Sequence, residues 1–168
     1  VNLSTLPALA AATKNNGDAI LRPIPSSGEK LPVIGLGTSR TLDIDVDPAT
    51  LIKLRKLMTL FIDNGGSLLD SSPMYGAAET VLGQITKDLP GRDKLFSATK
   101  VWTNGRAEGI AQMEASRRKM GVDRIDLMQI HNLVDWQTHL KTLRDWKEQG
   151  KIRYIGITTS HGRHHQAL

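Results

Sequence analysis

A parallel α/β fold is what this chain predicts, and three observations lead there. Short apolar runs begin near residues 34, 68, 96, 125 and 152, a recurrence of about 30 residues, enough for one strand, one helix and their connections. The stretches between them carry apolar residues at helical spacing, and they close on Asn64-Gly65-Gly66, Pro90-Gly91, Gly121 and Gly150, where glycine lets a helix end. Short connections of this kind make the strands parallel and the crossovers right-handed. A doubly wound open sheet and an eight-fold β/α barrel both satisfy the pattern. A whole barrel takes roughly 250 residues, so the 168 residues of this chain amount to about five of its units.

In order, Ile20 to Val33 reads as two short strands around Pro25-Ser26-Ser27-Gly28-Glu29, a hairpin outside the main core. Val33 to Gly37 is the first buried strand. Asp47 then caps a helix with Pro48 in its first turn, and Leu51, Leu54, Met58, Phe61 and Ile62 recur on one face. Leu68 to Asp70 is a strand, and Ala78 to Leu89 a helix with Val81, Leu82, Ile85 and Leu89 inward. Leu95 to Thr99 is followed by a helix over Ala107 to Met120, with Ile110, Met113 and Met120 on one side. Ile125 to Ile130 is a strand whose apolar run is interrupted by Asp126 and Gln129. Trp136 to Gln149 is a helix with Leu140, Leu143 and Trp146 inward, and Ile152 to Ile157 is the fifth strand of the sheet. Residues 1–19 are expected to be a disordered or processed lead segment and residues 20–168 one partial barrel domain.

Composition narrows the classes. With 39% apolar and 23% charged residues the chain has ordinary globular character. A net charge of +5 favours anions such as a phosphorylated cofactor. The cations are scattered, Arg117-Arg118-Lys119 being the densest run, and only 4% of residues are aromatic, which argues against nucleic acid as the partner. There is no cysteine, which removes disulfides, thiolate metal sites and cysteine nucleophiles together. No apolar run approaches the roughly 20 residues of a membrane-spanning helix, so no membrane partner is expected. The Leu- and Ala-rich start, Val1 to Thr13, faintly resembles the end of an export signal; a cytoplasmic location is expected, with export to the periplasm as the alternative.

In parallel β/α architectures the C-terminal strand ends carry the chemistry, because the loops converge there while the strands hold them rigidly. Here those ends carry Thr38, Asp70, Lys100, His131 and Thr158-Thr159 in succession, and Tyr75 follows Asp70 in the loop. Singly, each has a bland reading: Asp70 capping its own turn, Lys100 solvated with its stem over Val101 and Trp102, His131 a satisfied structural histidine, Tyr75 packing on the next helix. Jointly, on one rim, they make a proton-donating device. An ammonium stabilises the phenolate left when a tyrosine gives up its proton, and a carboxylate beside the ammonium keeps it charged and oriented. Asp70 would then hold Lys100, Lys100 would make Tyr75 a readier donor, and His131 would orient a substrate oxygen. That suits reduction of a carbonyl by an external hydride donor.

Other motifs fail on inspection. Gly35-Leu36-Gly37-Thr38-Ser39-Arg40 lacks the third glycine of a dinucleotide fingerprint and no helix follows directly. Asp43, Asp45 and Asp47 mimic the start of a calcium loop, but Pro48 stands where glycine is required and Leu54 where the closing glutamate belongs; a solvated loop is expected. His161, His164 and His165 have no carboxylate or cysteine beside them, and no metal site is expected.

With these residues in place the sequence resembles the aldo-keto reductases. The resemblance runs through Leu31 to Thr38, Leu69 to Gly76, Thr99 to Trp102, Gly121 to Asn132 and Gly150 to Gly156, in the family's order. It implies an eight-fold β/α barrel that transfers hydride from NADPH, less often NADH, to aldehydes and ketones, small-molecule carbonyls being the substrates. It implies a catalytic tetrad of Asp70, Tyr75, Lys100 and His131. It also implies that Thr38, Asp70, Asn132, Thr158 and Thr159 lie near the cofactor and that Tyr75, Trp102 and His131 face the substrate. Where the family often has Ser-Asn after its fifth strand this chain has Thr158-Thr159; a threonine offers no amide to the nicotinamide carboxamide. The adenine, pyrophosphate and 2′-phosphate contacts implied by the resemblance would lie beyond Leu168. A five-unit sheet leaves its outer strands open, so self-association along those edges is expected. Two alternatives stay open: a non-catalytic nicotinamide-binding regulatory subunit of the same fold, and an inactive truncated fragment.

Overall fold

The computed structural model describes residues 19–160. The lead segment expected over residues 1–19, except its last residue, and the histidines His161, His164 and His165 lie outside the described residues. Strands β1 (Leu21–Pro23) and β2 (Lys30–Pro32) pair antiparallel, joined by a turn in which Gly28 takes a φ of +74°, open to glycine without a Cβ penalty. There follow β3 (Leu36–Gly37), α1 (Pro48–Asp63), β4 (Leu68–Asp70), α2 (Ala78–Thr86), β5 (Phe96–Val101), α3 (Arg106–Met120), β6 (Ile125–His131), α4 (Trp136–Glu148) and β7 (Ile152–Thr158). The strands from β3 to β7 form one five-stranded sheet in sequence order, every pair parallel. Sequential order without reversal is barrel topology, since a doubly wound sheet turns back on itself. The described residues form a partial (β/α)8 barrel.

Apolar periodicity explains most boundaries. Asp47 caps α1 by accepting the backbone N–H groups of Ala49 and Thr50, with Pro48 in the first turn. α3 stops at Gly121, left-handed at φ +65°. The expected first strand, Val33 to Gly37, is corrected to Leu36–Gly37. Val33 N–H donates to Ile20 O, so this residue continues the hairpin ladder instead of the barrel, and Val33 and Ile34 are exposed. α2 ends at Thr86, short of the expected Leu89: Asp88 is left-handed, and Arg55 Nη1 takes up the carbonyls of Gln84 and Lys87. β5 runs two residues beyond its expected end, to Val101.

The core lies between the sheet and its helices, in two adjoining clusters. Met58, Leu69, Val81, Leu82 and Ile85 join α1 and α2 to β4, and Val101, Met113, Met128, Ile130, Leu143 and Trp146 join α3 and α4 to β5 and β6. Gly83 is obligatory where α2 meets α3, since a Cβ there would lie 2.1 Å from Lys119 O.

The hairpin, expected to stand outside the main core, is tied to the N-terminal end of β7. Tyr154 Oη donates to Glu29 Oε2 at 2.5 Å, and Arg153 pairs with both Glu29 and Asp126. Asp126 Oδ2 accepts Ser97 N–H at 2.7 Å, and the Arg153 guanidinium lies over the Phe96 and Tyr154 rings. One network therefore joins the hairpin to β5, β6 and β7. The Tyr154 hydroxyl first, then the Arg153 guanidinium, hold the Glu29 carboxyl below its ordinary range. A carboxyl depressed in the fold stabilises it above the unfolded pKa and loses that contribution as pH falls through the folded one. Glu29→Gln is therefore expected to lower stability by about 0.5–1 kcal/mol near neutral pH. The gap between variant and parent in urea midpoints should close as the pH drops below about 4.

Candidate active site

β4, β5 and β6 end side by side, and their register sets the site. Asp70 pairs with Ala98, and Lys100 with Gln129 one pleat further along. Lys100 is 4% exposed, and its Nζ donates to Asp70 Oδ2 and to Ser71 O, each at 2.7 Å. The same Nζ stands 5.1 Å from the centre of the Tyr75 ring. A buried ammonium needs this much compensation. The solvated reading of Lys100 is overturned, as is its expected place after the third barrel strand: it lies within β5.

Gln129 Nε2 donates to the other oxygen of Asp70, Oδ1, at 3.1 Å, so both carboxylate oxygens are engaged. In sequence Gln129 reads only as an interruption of an apolar strand. Its signal is the register, two residues before His131 on the same strand face.

His131 is the last residue of β6 and 8% exposed. Its Nδ1 lies 2.5 Å from Thr158 Oγ1, its register partner at the end of β7. Thr158 thus engages the imidazole. Asn132 is left-handed at φ +53°; its backbone N–H donates to Thr158 O and its Oδ1 accepts from the Ser160 backbone. Asn132 therefore knits β6 to the residues after β7, next to Thr159. Thr38 is fully buried, its hydroxyl 3.0 Å from Asp70 O and 2.9 Å from Ser71 Oγ, where it braces the backbone behind Asp70.

Tyr75 reaches the site through a turn held from outside. Tyr75 N–H donates to Ser72 O, and Ala78 N–H to Tyr75 O. Asp43 Oδ1 accepts Ala77 N–H at 2.9 Å, capping α2 from the loop before α1, since Ala77 brings no side-chain cap. Gly76 is left-handed at φ +56°, and a Cβ there would fall 1.9 Å from Asp43 Oδ1. Asp43, expected in a solvated loop, supports the tyrosine turn.

Trp102 follows β5 and is 42% exposed. Gln112 holds its backbone in both directions, accepting Trp102 N–H at 2.6 Å and donating to Trp102 O at 3.2 Å. Further on, His139 Nε2 donates to Thr103 O at 2.7 Å, and Asp135 Oδ2 accepts Gly105 N–H at 2.8 Å. That N–H, followed by the Thr138 hydroxyl, holds the Asp135 carboxyl below the usual aspartate range.

A carboxylate, an ammonium, a phenol and an imidazole thus gather on the C-terminal rim of a partial β/α barrel. The profile described as the Aldo/keto reductase family matches residues 33–168, and the chain belongs to that family. It is 30% identical over 153 residues to an aldo-keto reductase of Bacillus subtilis, covering 80% of this chain and 45% of that protein. To a methylglyoxal reductase of Yersinia pestis it is 29% identical, covering 84% of this chain and 50% of that one. Among solved structures, the aldo/keto reductase of Klebsiella pneumoniae in complex with NADP and acetate superposes with a TM-score of 0.70 at 27% identity, over 84% of this chain and 50% of that chain. The chain spans about half the length of the curated relatives it matches. Among the described residues no helix is long and apolar enough to cross a membrane.

The ion pair is asymmetric: the Lys100 side chain is 5% exposed and that of Asp70 39%. Stranding a fully buried charge costs about 3–5 kcal/mol, and the half-open carboxylate reduces that here. Asp70→Ala, which leaves the buried ammonium without its anion, is expected to cost about 2 kcal/mol. Lys100→Met, which leaves a carboxylate facing water, should cost about 1 kcal/mol. Guanidinium unfolding of both variants measures the difference, and the reverse order would contradict this energetic reading.

Proposed function

We propose that this chain carries the proton-delivering side of a NAD(P)H-dependent oxidoreductase that reduces aldehydes or ketones to alcohols. The observation that carries the reading is Lys100 Nζ held at 2.7 Å by Asp70 Oδ2 while standing 5.1 Å from the Tyr75 ring. In this reading Tyr75 is the general acid, passing its phenolic proton to the carbonyl oxygen. Lys100 stabilises the phenolate that remains. Asp70 and Gln129 hold Lys100 in place, and His131, its ring engaged by Thr158, orients the carbonyl oxygen. Trp102, exposed after β5, lines the substrate side.

The residues present fit the nicotinamide end of a dinucleotide. A carboxamide asks for a hydrogen-bond donor, and Ser160 occupies only the oxygen of the Asn132 amide, so its N–H groups can serve that need. Thr158 and Thr159 continue the polar rim beside it, while buried Thr38 and Asp70 O form the wall behind. A reduced nicotinamide, when bound, supplies the hydride to the carbonyl carbon. NADPH is the reductant we favour, because the Klebsiella pneumoniae relative was solved with NADP and with NADPH; NADH is the alternative.

Aldehyde-dependent oxidation of NADPH by the intact protein tests the reading. Tyr75→Phe is expected to lower turnover by about 10²–10⁴-fold while quenching of tryptophan fluorescence by NADPH persists. Undiminished turnover in Tyr75→Phe would show that the phenol is not the acid. NADPH binding with no turnover of any aldehyde or ketone would replace the enzyme with a nicotinamide-binding regulatory subunit.

A further inference from the structure

Glu79, in the first turn of α2, is 1% exposed. The other buried ionisable groups that form ion pairs have opposite charges beside them: Lys100 has Asp70, and Asp126 has Arg153. Among the described residues Glu79 has none. Its Oε1 accepts the Thr99 hydroxyl at 2.7 Å, and its Oε2 is buried with no hydrogen-bond partner among the described residues. A buried oxygen left unsatisfied costs about 1–3 kcal/mol, and an apolar side chain would avoid that cost. The carboxyl is therefore a poor choice for packing alone.

Its location shows what it connects. Glu79 lies four residues after Tyr75, directly after Ala78, whose N–H donates to Tyr75 O. Thr99 is the residue before Lys100 on β5 and is fully buried on the strand's helix-covered side. Among the described residues the Glu79–Thr99 bond is the only side-chain hydrogen bond that joins α2 to β5. One end of this bond sits on the element that carries the phenol, the other on the strand that carries the ammonium.

We propose that Glu79 is a positioning residue which, through Thr99, fixes the Tyr75 turn against the strand bearing Lys100 and so sets the separation of phenol and ammonium. It touches neither substrate nor cofactor. Its effect on rate rests on the reductase reading above, whereas its effect on geometry does not.

The test uses Glu79→Ala, Glu79→Gln and Thr99→Val in protein labelled at tyrosine and lysine, with nuclear Overhauser effects between the Tyr75 ring and the Lys100 side chain as the readout. The chain has two tyrosines, so Tyr154→Phe assigns the signals. Glu79→Ala and Thr99→Val are expected to weaken these effects, and Glu79→Gln, which still accepts from Thr99, to keep them. In turnover, Glu79→Ala should lower kcat by about 10- to 100-fold with little change in KM, and Glu79→Gln should restore most of it. Overhauser effects unchanged in both Glu79→Ala and Thr99→Val would overturn the proposal. So would their disappearance in Glu79→Gln, because charge and not the hydrogen bond would then be responsible. If Glu79→Ala fails to fold, Thr99→Val alone decides, since it removes the hydroxyl and keeps the shape. Suppose the parent protein shows no turnover, yet the Tyr75–Lys100 signal weakens in Glu79→Ala and Thr99→Val and persists in Glu79→Gln. That outcome would sink the reductase reading and leave this inference standing.

Discussion

Lys100 Nζ is the point on which the rim converges. An ammonium 4% exposed is tolerable only if its donors are met by acceptors and its charge by an opposite charge. Here Asp70 and the Ser71 carbonyl supply two acceptors, and the π face of Tyr75 is its third neighbour. Each compensating group fixes an element. Asp70 defines where β4 must end relative to β5, Ser71 begins the turn, and Tyr75 must fold back over the cation. A parallel sheet supplies this order cheaply, because adjacent strands in register bring Asp70, Lys100 and Gln129 together without long-range loop closure.

The opposite end of the sheet shows a different use of the same chemistry. There Arg153 is surrounded by Asp126, Glu29 and the Phe96 and Tyr154 rings, and the Asp126 hydrogen bond first, then that of Glu29, raises its pKa further above the ordinary arginine value. Every carboxylate at that cation is answered, and the hairpin closes over it. At the rim the Asp70 side chain remains 39% exposed. A satisfied network favours rigidity, and a half-open one favours exchange with a ligand. The two ends of one barrel segment thus differ: a closed network at the N-terminal strand ends and a half-open ion pair at the C-terminal ends, where β/α barrels carry their sites.

Much of this was legible in the residues. Period and punctuation yield the alternation of strands and helices, and the helix caps at Asp47 and Gly121 follow from residue type alone. Asp70, Lys100 and His131 could be marked because polar groups at the ends of apolar runs are rare enough to stand out. What escaped depended on three-dimensional register or on partners distant in sequence. Gln129 looks like a blemish in β6 until its pairing with Lys100 is known. Asp43 caps a helix whose N-cap residue, Ala77, is 34 residues further on, and no local pattern carries that distance. Val33 and Ile34 are apolar and β-branched, as a buried strand requires, yet the hairpin's ladder claims Val33 first. The Glu29–Arg153 pair spans 124 residues and has no sequence signature at all.

The tyrosine turn brings these threads together. Its tip carries the phenol, and a loop tip is the least rigid place in a barrel. Three restraints counter that mobility: Asp43 on Ala77 from before α1, Lys100 on the Ser71 carbonyl from β5, and Glu79 on Thr99 from within α2. All have both partners between β3 and β5, and the engagement of His131 by Thr158 and the hold of Gln129 on Asp70 lie between β4 and β7. The geometry around Lys100 is therefore a property of neighbouring β/α units. The turn is held by Asp43, Lys100 and Thr99, which lie outside it, which is why it cannot be understood from its own residues alone.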